Sequence, residues 1–185
     1  MGSVKFDGPR RGALVCLVAV ALLARLTVAA VLGLNSAPRP GSDQQEFDTY
    51  AWNVAQGRGY RGLSPDVTDQ DHLTAYRPPL PSLVWAVLYR VFGHRYDVVR
   101  VCHCILGALT VVLIYGIGRQ SFGESVGLMA AGVYAVYPTA LLYSSELLAE
   151  SLATFLFCAY LLLSLQFAQR PGVGRRQSQR RPAGG

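Results

Sequence analysis

The 185-residue chain carries 17 Lys and Arg against 11 Asp and Glu, yet only 15% of its residues are charged and 51% are hydrophobic. The apolar residues arrive in long blocks rather than at the spacing of one soluble core, which excludes an ordinary globular domain. The formal charge of +6 comes with no basic helix and no RNA-binding pattern, which argues against a nucleic-acid partner.

Residues 1–11, with Lys5, Arg10 and Arg11, read as a cytoplasmic N-terminus. Residues 12–34 hold a single charge, Arg25, and read as the first transmembrane helix. Such a stretch extends about 35 Å, enough to cross a hydrocarbon core of about 30 Å. The basic start, the apolar run and Ala29-Ala30 also fit a signal peptide, but Arg25 and the later spans favour an uncleaved helix.

Residues 35–79 read as an outer loop. After a Pro- and Gly-containing exit, Phe47, Tyr50, Ala51 and Val54 form one apolar stripe, with Asp48, Asn53 and Gln56 facing elsewhere and Gly57 as a stop. This short amphipathic helix is expected to lie on the outer membrane surface, stripe down. Asp43 and Glu46 at its start fit an N-cap with its capping-box partner. Residues 57–74 read as irregular loop. Asp66, Asp69 and Asp71 there look like a metal site, but they lack the calcium-loop pattern and are more simply solvated. The sequence calls for no cofactor and leaves a divalent metal open. Pro78 and Pro79 suit the first turn of the next helix.

Residues 80–168 read as transmembrane helices 2–5, from apolar blocks at 80–92, 101–117, 126–143 and 147–167. Arg90, Arg95 and Arg100 gather around the turn after the second span, which puts both ends of the first hairpin in the cytoplasm. The loop between them, with six of the eleven carboxylates, then lies outside. Gly107, Gly116 and Gly118 permit close helix contact. Arg25 and Glu150 are intramembrane charges that need partners, and a structural pairing is favoured over substrate contact. Cys102-His103-Cys104 reads as packing rather than a zinc site, because adjacent helix positions point in different directions. Cys16, Cys102, Cys104 and Cys158 all fall in expected spans and say nothing of redox compartment.

Residues 169–185 form an Arg-, Gly- and Pro-rich tail expected to be disordered. Five spans from an inside N-terminus would leave its five Arg outside, against the positive-inside rule. Either one span is miscounted or the tail is a truncated or frame-shifted ending, and the second reading is preferred. The fold class is all-α integral membrane, with about five transmembrane helices and an outer loop carrying a short amphipathic surface helix.

One ordered set of motifs goes further. It comprises Asp43-Gln44-Gln45-Glu46-Phe47-Asp48, Tyr50-Ala51, Asn53, Gly57-Arg58-Gly59-Tyr60 and Tyr76-Arg77-Pro78-Pro79-Leu80. Val99-Arg100-Val101, Gly118-Arg119, Phe122-Gly123 and Tyr137-Pro138 follow in the same order. Over roughly residues 12–167 the chain resembles the protein mannosyltransferase and aminoarabinose transferase superfamily of C-type membrane glycosyltransferases, its bacterial branch above all.

The resemblance implies a sugar donor on a polyprenyl phosphate, attacked with inversion by an acceptor hydroxyl at the outer face of a plasma membrane that the chain crosses several times. A carboxylate must take the acceptor's proton and a cation must hold the leaving phosphate. Asp43 matches the family's catalytic base, and Arg77 its basic residue near the donor phosphate. Many eukaryotic members have Asp-Glu where this chain has Asp43-Gln44, so the second carboxylate's role is absent or passes to Glu46. The bland rivals are a helix cap for Asp43 and an interfacial anchor for Arg77. Implied partners are the donor and membrane lipids. Family enzymes are longer, so the resemblance covers an N-terminal portion, with a separate chain to supply further spans. The alternative is a truncated non-catalytic remnant or accessory membrane protein. A transporter fragment is weaker, since the sequence reveals no inverted repeat or broken helix pair.

Overall fold

The computed structural model describes residues 8–62 and 76–169, with side chains from residue 11 onward. Lys5, the Arg10 side chain, Asp66, Asp69, Asp71 and the 170–185 tail lie outside the described residues. Seven helices follow one another among the described residues: α1 (Gly8–Val31), α2 (Asp43–Ala55), α3 (Pro79–Phe92), α4 (Tyr96–Phe122), α5 (Glu124–Ala135), α6 (Pro138–Ser145) and α7 (Glu150–Ala168).

The all-helical membrane fold agrees with the sequence. α1, α4 and α7 are long and apolar enough to cross a bilayer, and α5 with α6 makes a fourth span if that bent pair is counted as one. The pair bends by 52°. Pro138 explains the break: it lacks the N–H that would continue the α5 ladder, yet suits the first turn of α6. A broken helix pair is therefore present, contrary to the sequence reading. Val15, Leu23 and Val31 on α1, and Phe157, Tyr160 and Leu163 on α7, point outward as a lipid-facing surface.

Arg100 fixes which helix ends lie together. One turn into α4, it donates from Nη1 to the Leu34 carbonyl just past α1, and from Nε to the Ser145 carbonyl at the end of α6, both at 2.8 Å. His103, one turn further, donates from Nδ1 to the Glu146 carbonyl at 3.0 Å. The end of α1, the start of α4 and the α6–α7 link thus share one end of the bundle. At the opposite end α4 meets α5 through glycines, where a Cβ on Gly118 would stand 2.7 Å from Gly127 Cα. Gly116 there faces Leu162 of α7.

α3 has a place different from the expected one. Its 14 residues extend about 21 Å, short of the roughly 30 Å hydrocarbon core. It runs parallel to α2: Ser82 Oγ donates to the Phe47 carbonyl at 3.1 Å, Phe47 meets Trp85 edge-on, and Trp52 meets Tyr89 and stacks on His94. The two helices pack at the Arg100 end of the bundle. Trp85 approaches His103, and Leu147 of the α6–α7 link joins a core with Phe47, Ala51, Trp85, Tyr89 and Val99. The expected hairpin, with Arg90, Arg95 and Arg100 at the end opposite the outer loop, is replaced by this arrangement.

α2 differs as well. Phe47, Tyr50 and Ala51 are buried as the stripe required, but against protein, and Asp48 and Asn53 are buried with them. Asp48 accepts from Tyr89 Oη at 2.7 Å and from His94 Nε2 at 2.9 Å. Asn53 Nδ2 donates to the Arg61 carbonyl at 3.0 Å. Polar positions on the helix found buried hydrogen-bond partners instead of water.

Arg25 is fully buried at the helix break. Nη1 donates to the carbonyls of Ala21 and Ala135 at 3.0 and 3.1 Å, and Nη2 to that of Tyr134 at 3.4 Å. The carbonyls of Tyr134 and Ala135 close α5, where the helix dipole is negative, so backbone serves in place of a carboxylate. Arg25 does not pair with Glu150, which lies exposed at the start of α7.

Candidate active site

The site is assembled at the Arg100 end, where α2 begins. Gly41 takes φ +71°, a left-handed conformation that turns the chain sharply before the helix. Ser42 is the N-cap residue, and its Oγ donates back to the Arg39 carbonyl at 2.6 Å. Gln45, not Glu46, reaches back over the turn, its Oε1 accepting from the Gly41 N–H at 2.7 Å. The cap-and-box reading of Asp43 and Glu46 is overturned: Asp43 is the first helical residue and both carboxylates face Arg77.

Arg77 bridges them. Its Nη2 donates to Asp43 and its Nε to Glu46, each at 2.5 Å. Glu46 and Arg77 side chains are 16% and 19% exposed, whereas that of Asp43 is 61% exposed. Water therefore screens the Asp43 arm far more than the Glu46 arm, and exposed ion pairs are worth only about 0–1 kcal/mol. Burial works against the Arg77 charge, but the hydrogen bonds and charges of Glu46 and Asp43 outweigh it and raise the Arg77 pKa. The guanidinium also lies 5.5 Å from the Phe47 ring centroid and 5.0 Å from that of Tyr76.

A turn motif holds Arg77 from behind. Gly57 and Gly59 take φ of +76° and +85°, and the chain they bend delivers Tyr60 onto Tyr50, ring centroids 4.4 Å apart. Tyr60 Oη then donates to the Arg77 carbonyl at 3.0 Å. The Gly-x-Gly-aromatic pattern thus positions the cation.

The three residues singled out from sequence, Asp43, Glu46 and Arg77, are brought together from 31 and 34 positions apart. Sequence reasoning missed Gln44 and Glu146. Gln44 Nε2 donates to the Glu146 carboxylate, and its Oε1 accepts from the Leu147 N–H at 3.3 Å. No periodicity links residues 102 positions apart; a polar pair between two apolar blocks was the one available signal. Among the described residues no group of three His, Cys, Asp or Glu could hold a metal ion.

This geometry, two carboxylates on a helix start bridged by an arginine just before the next helix, sits at one end of a membrane bundle. A family model described as dolichyl-phosphate-mannose-protein mannosyltransferase matches residues 76–175, more than half of the chain. The chain belongs to this family. The family is one of membrane glycosyltransferases, in keeping with the apolar helices and a membrane location. The match begins at Tyr76, so it takes in Arg77 and leaves Asp43 and Glu46 outside. No curated protein and no solved structure matched the chain.

Proposed function

We propose that the Asp43–Arg77–Glu46 cluster belongs to a glycosyltransferase site that moves a sugar from a polyprenyl-phosphate donor to an acceptor hydroxyl, with inversion, at the outer face of a plasma membrane. The observation that carries this reading is Arg77 held between a sheltered carboxylate and an exposed one.

The roles follow from that inequality. Glu46 keeps the Arg77 guanidinium in place. Asp43 is the arm that Arg77 gives up most readily, so an arriving donor phosphate takes over Nη2 by a charge-assisted hydrogen bond. The Asp43 carboxylate is thereby released to accept the acceptor's proton as its oxygen attacks the anomeric carbon. The sugar–phosphate C–O bond breaks, and the lipid phosphate departs against Arg77. The bundle end bearing the cluster is the outer one in this reading. Lys5, Arg10 and Arg11 precede the apolar run of α1 in the sequence, which favours a cytoplasmic start for that helix.

The test is binding of citronellyl-phosphate mannose, a short-chain donor, to the full chain in nanodiscs. Arg77→Ala is expected to weaken binding on the order of tenfold, the loss of one charge-assisted hydrogen bond. Equal binding by the wild-type chain and Arg77→Ala would remove the phosphate role from Arg77.

A further inference from the structure

At the end of the bundle opposite Asp43, α4 and α7 leave a cavity of about 350 Å³ between them. Val112, Gly116, Arg119 and Gln120 line it from α4, Leu162 and Gln166 from α7. None of the roles assigned above uses it.

The lining is graded along both helices. Arg119 and Gln120 stand in the last turn of α4, and Gln166 stands in the last turn of α7. Val112 and Gly116 lie one to two turns deeper on α4, and Leu162 lies one turn deeper on α7. Both helices start at the Arg100 end, so the polar groups of both gather at the far surface and the apolar ones toward the bilayer interior. A phospholipid has the same gradient, a polar headgroup above the first methylenes of its chains. Val112 is exposed on the outside of the bundle, which lets a chain enter from the side.

Charge selects the headgroup. Among the described residues lining the cavity Arg119 alone is charged. The carboxylate beside it in sequence, Glu124, does not line the cavity and accepts from Tyr115 Oη at 3.1 Å. Basic pockets between transmembrane helices suit anionic lipid headgroups, and a guanidinium fork matches a phosphate. Gln120 adds a second requirement. Its Oε1 is buried with no hydrogen-bond partner among the described residues. A phosphodiester only accepts, so it cannot satisfy that oxygen, whereas a hydroxyl can. An ammonium would also donate, but it would stand beside the Arg119 cation.

We propose that this cavity binds a phospholipid with an anionic phosphodiester and a hydroxylated headgroup, the chemistry of phosphatidylglycerol. Arg119 holds the phosphate, the Gln120 and Gln166 amides meet the headgroup hydroxyls, and an acyl chain starts along Val112, Gly116 and Leu162. The assignment draws on no role given to Asp43 or Arg77. With their cluster at the outer face, the lipid comes from the inner leaflet.

Native mass spectrometry of the full chain in detergent measures the affinity for added lipid. The probes are phosphatidylglycerol, phosphatidylethanolamine, and glycerophosphoglycerol, the soluble deacylated form of the first. Phosphatidylglycerol is expected to bind more tightly than phosphatidylethanolamine, and excess glycerophosphoglycerol should not displace it. Arg119→Gln should weaken phosphatidylglycerol about tenfold, one charge-assisted hydrogen bond. Gln120→Leu should weaken it about fivefold and leave phosphatidylethanolamine unchanged, since only the hydroxyls lose a partner. Val112→Trp fills the apolar wall from an exposed position and should exclude the lipid with Arg119 intact, which keeps the test sound should Arg119→Gln fail to fold. Equal affinity for the two lipids overturns the proposal, as does unchanged phosphatidylglycerol binding in Val112→Trp or in a folded Arg119→Gln. Displacement by glycerophosphoglycerol would make the cavity a site for a soluble anion and overturn the lipid assignment.

Discussion

Arg100 and Leu34 are joined by a hydrogen bond of 2.8 Å although 66 positions separate them in the chain. Everything between, α2 and α3 included, therefore leaves from and returns to the same end of the bundle. A single crossing by α3 would carry Arg100 to the opposite end, so α2 and α3 lie side by side on one face.

That arrangement predicts an accessibility pattern. Single cysteines replacing Arg39 and Arg95, in a chain whose four native cysteines are Ala, should both react with a membrane-impermeant maleimide on intact cells. A cysteine replacing Ser121, exposed at the other end, should react only after permeabilisation. Labelling of the Arg39 site together with protection of the Arg95 site would mean that α3 crosses after all.

The buried Arg25 predicts an intolerant glycine. A Cβ on Gly107 would stand 2.4 Å from Arg25 Nε and 2.9 Å from its Cδ, atoms near the root of a guanidinium pinned by three carbonyls. Gly107→Ala should cost about 1–3 kcal/mol, the usual range for overpacking. Gly132→Ala, whose new methyl would meet only Leu17 at 3.8 Å, should stay close to wild type. Thermal unfolding in detergent compares them, and equal melting would show that Arg25 moves aside freely.

The Gln44–Glu146 contact predicts a rescue. Gln44→Glu sets two carboxylates against each other in a half-buried contact and should destabilise the chain by about 1–3 kcal/mol. Combining it with Glu146→Gln restores an amide–carboxylate pair in the reverse sense and should recover most of the loss. A double-mutant cycle on melting temperature reads the coupling. Additive effects would mean that the two side chains do not meet.

How far these features could be read beforehand depended on distance along the chain. Lipid-facing spans are long apolar runs, so α1, α4 and α7 were legible from local composition. α3 is equally apolar, and only its partnership with α2 through Phe47, Trp85 and Tyr89 shows that it packs at the bundle end. Asp43, Glu46 and Arg77 were singled out because the resemblance points to them. Their mutual bridge, and the Gln45–Gly41 bond that displaces Glu46 from capping, depend on a turn at Gly41 that no hydrophobic pattern encodes. Arg25 advertised a need for partners, but the partners are backbone carbonyls at a helix break, and backbone carries no residue signature.

The last prediction separates the two carboxylates. With Ser42 as the N-cap residue, Asp43→Asn removes no cap, and Asn still offers Arg77 an oxygen, so folding and insertion should be unchanged. The amide has no useful basicity near neutral pH, so in an enzyme assembled with any further spans it needs, sugar transfer should fall at least about a hundredfold. Donor binding should move the other way. The variant no longer competes as an anion for Nη2, so citronellyl-phosphate mannose should bind as tightly as to wild type or a few-fold more tightly, roughly what an exposed ion pair is worth. Glu46→Gln acts on the sheltered arm that fixes the guanidinium, and it should weaken donor binding and transfer together, as expected when both ground and transition states lose the same contact. Opposite signs in binding for the two variants are the signature of an exchange at Arg77. Weaker donor binding in Asp43→Asn would make Asp43 a second phosphate-site anchor, and unimpaired transfer would remove it from proton abstraction.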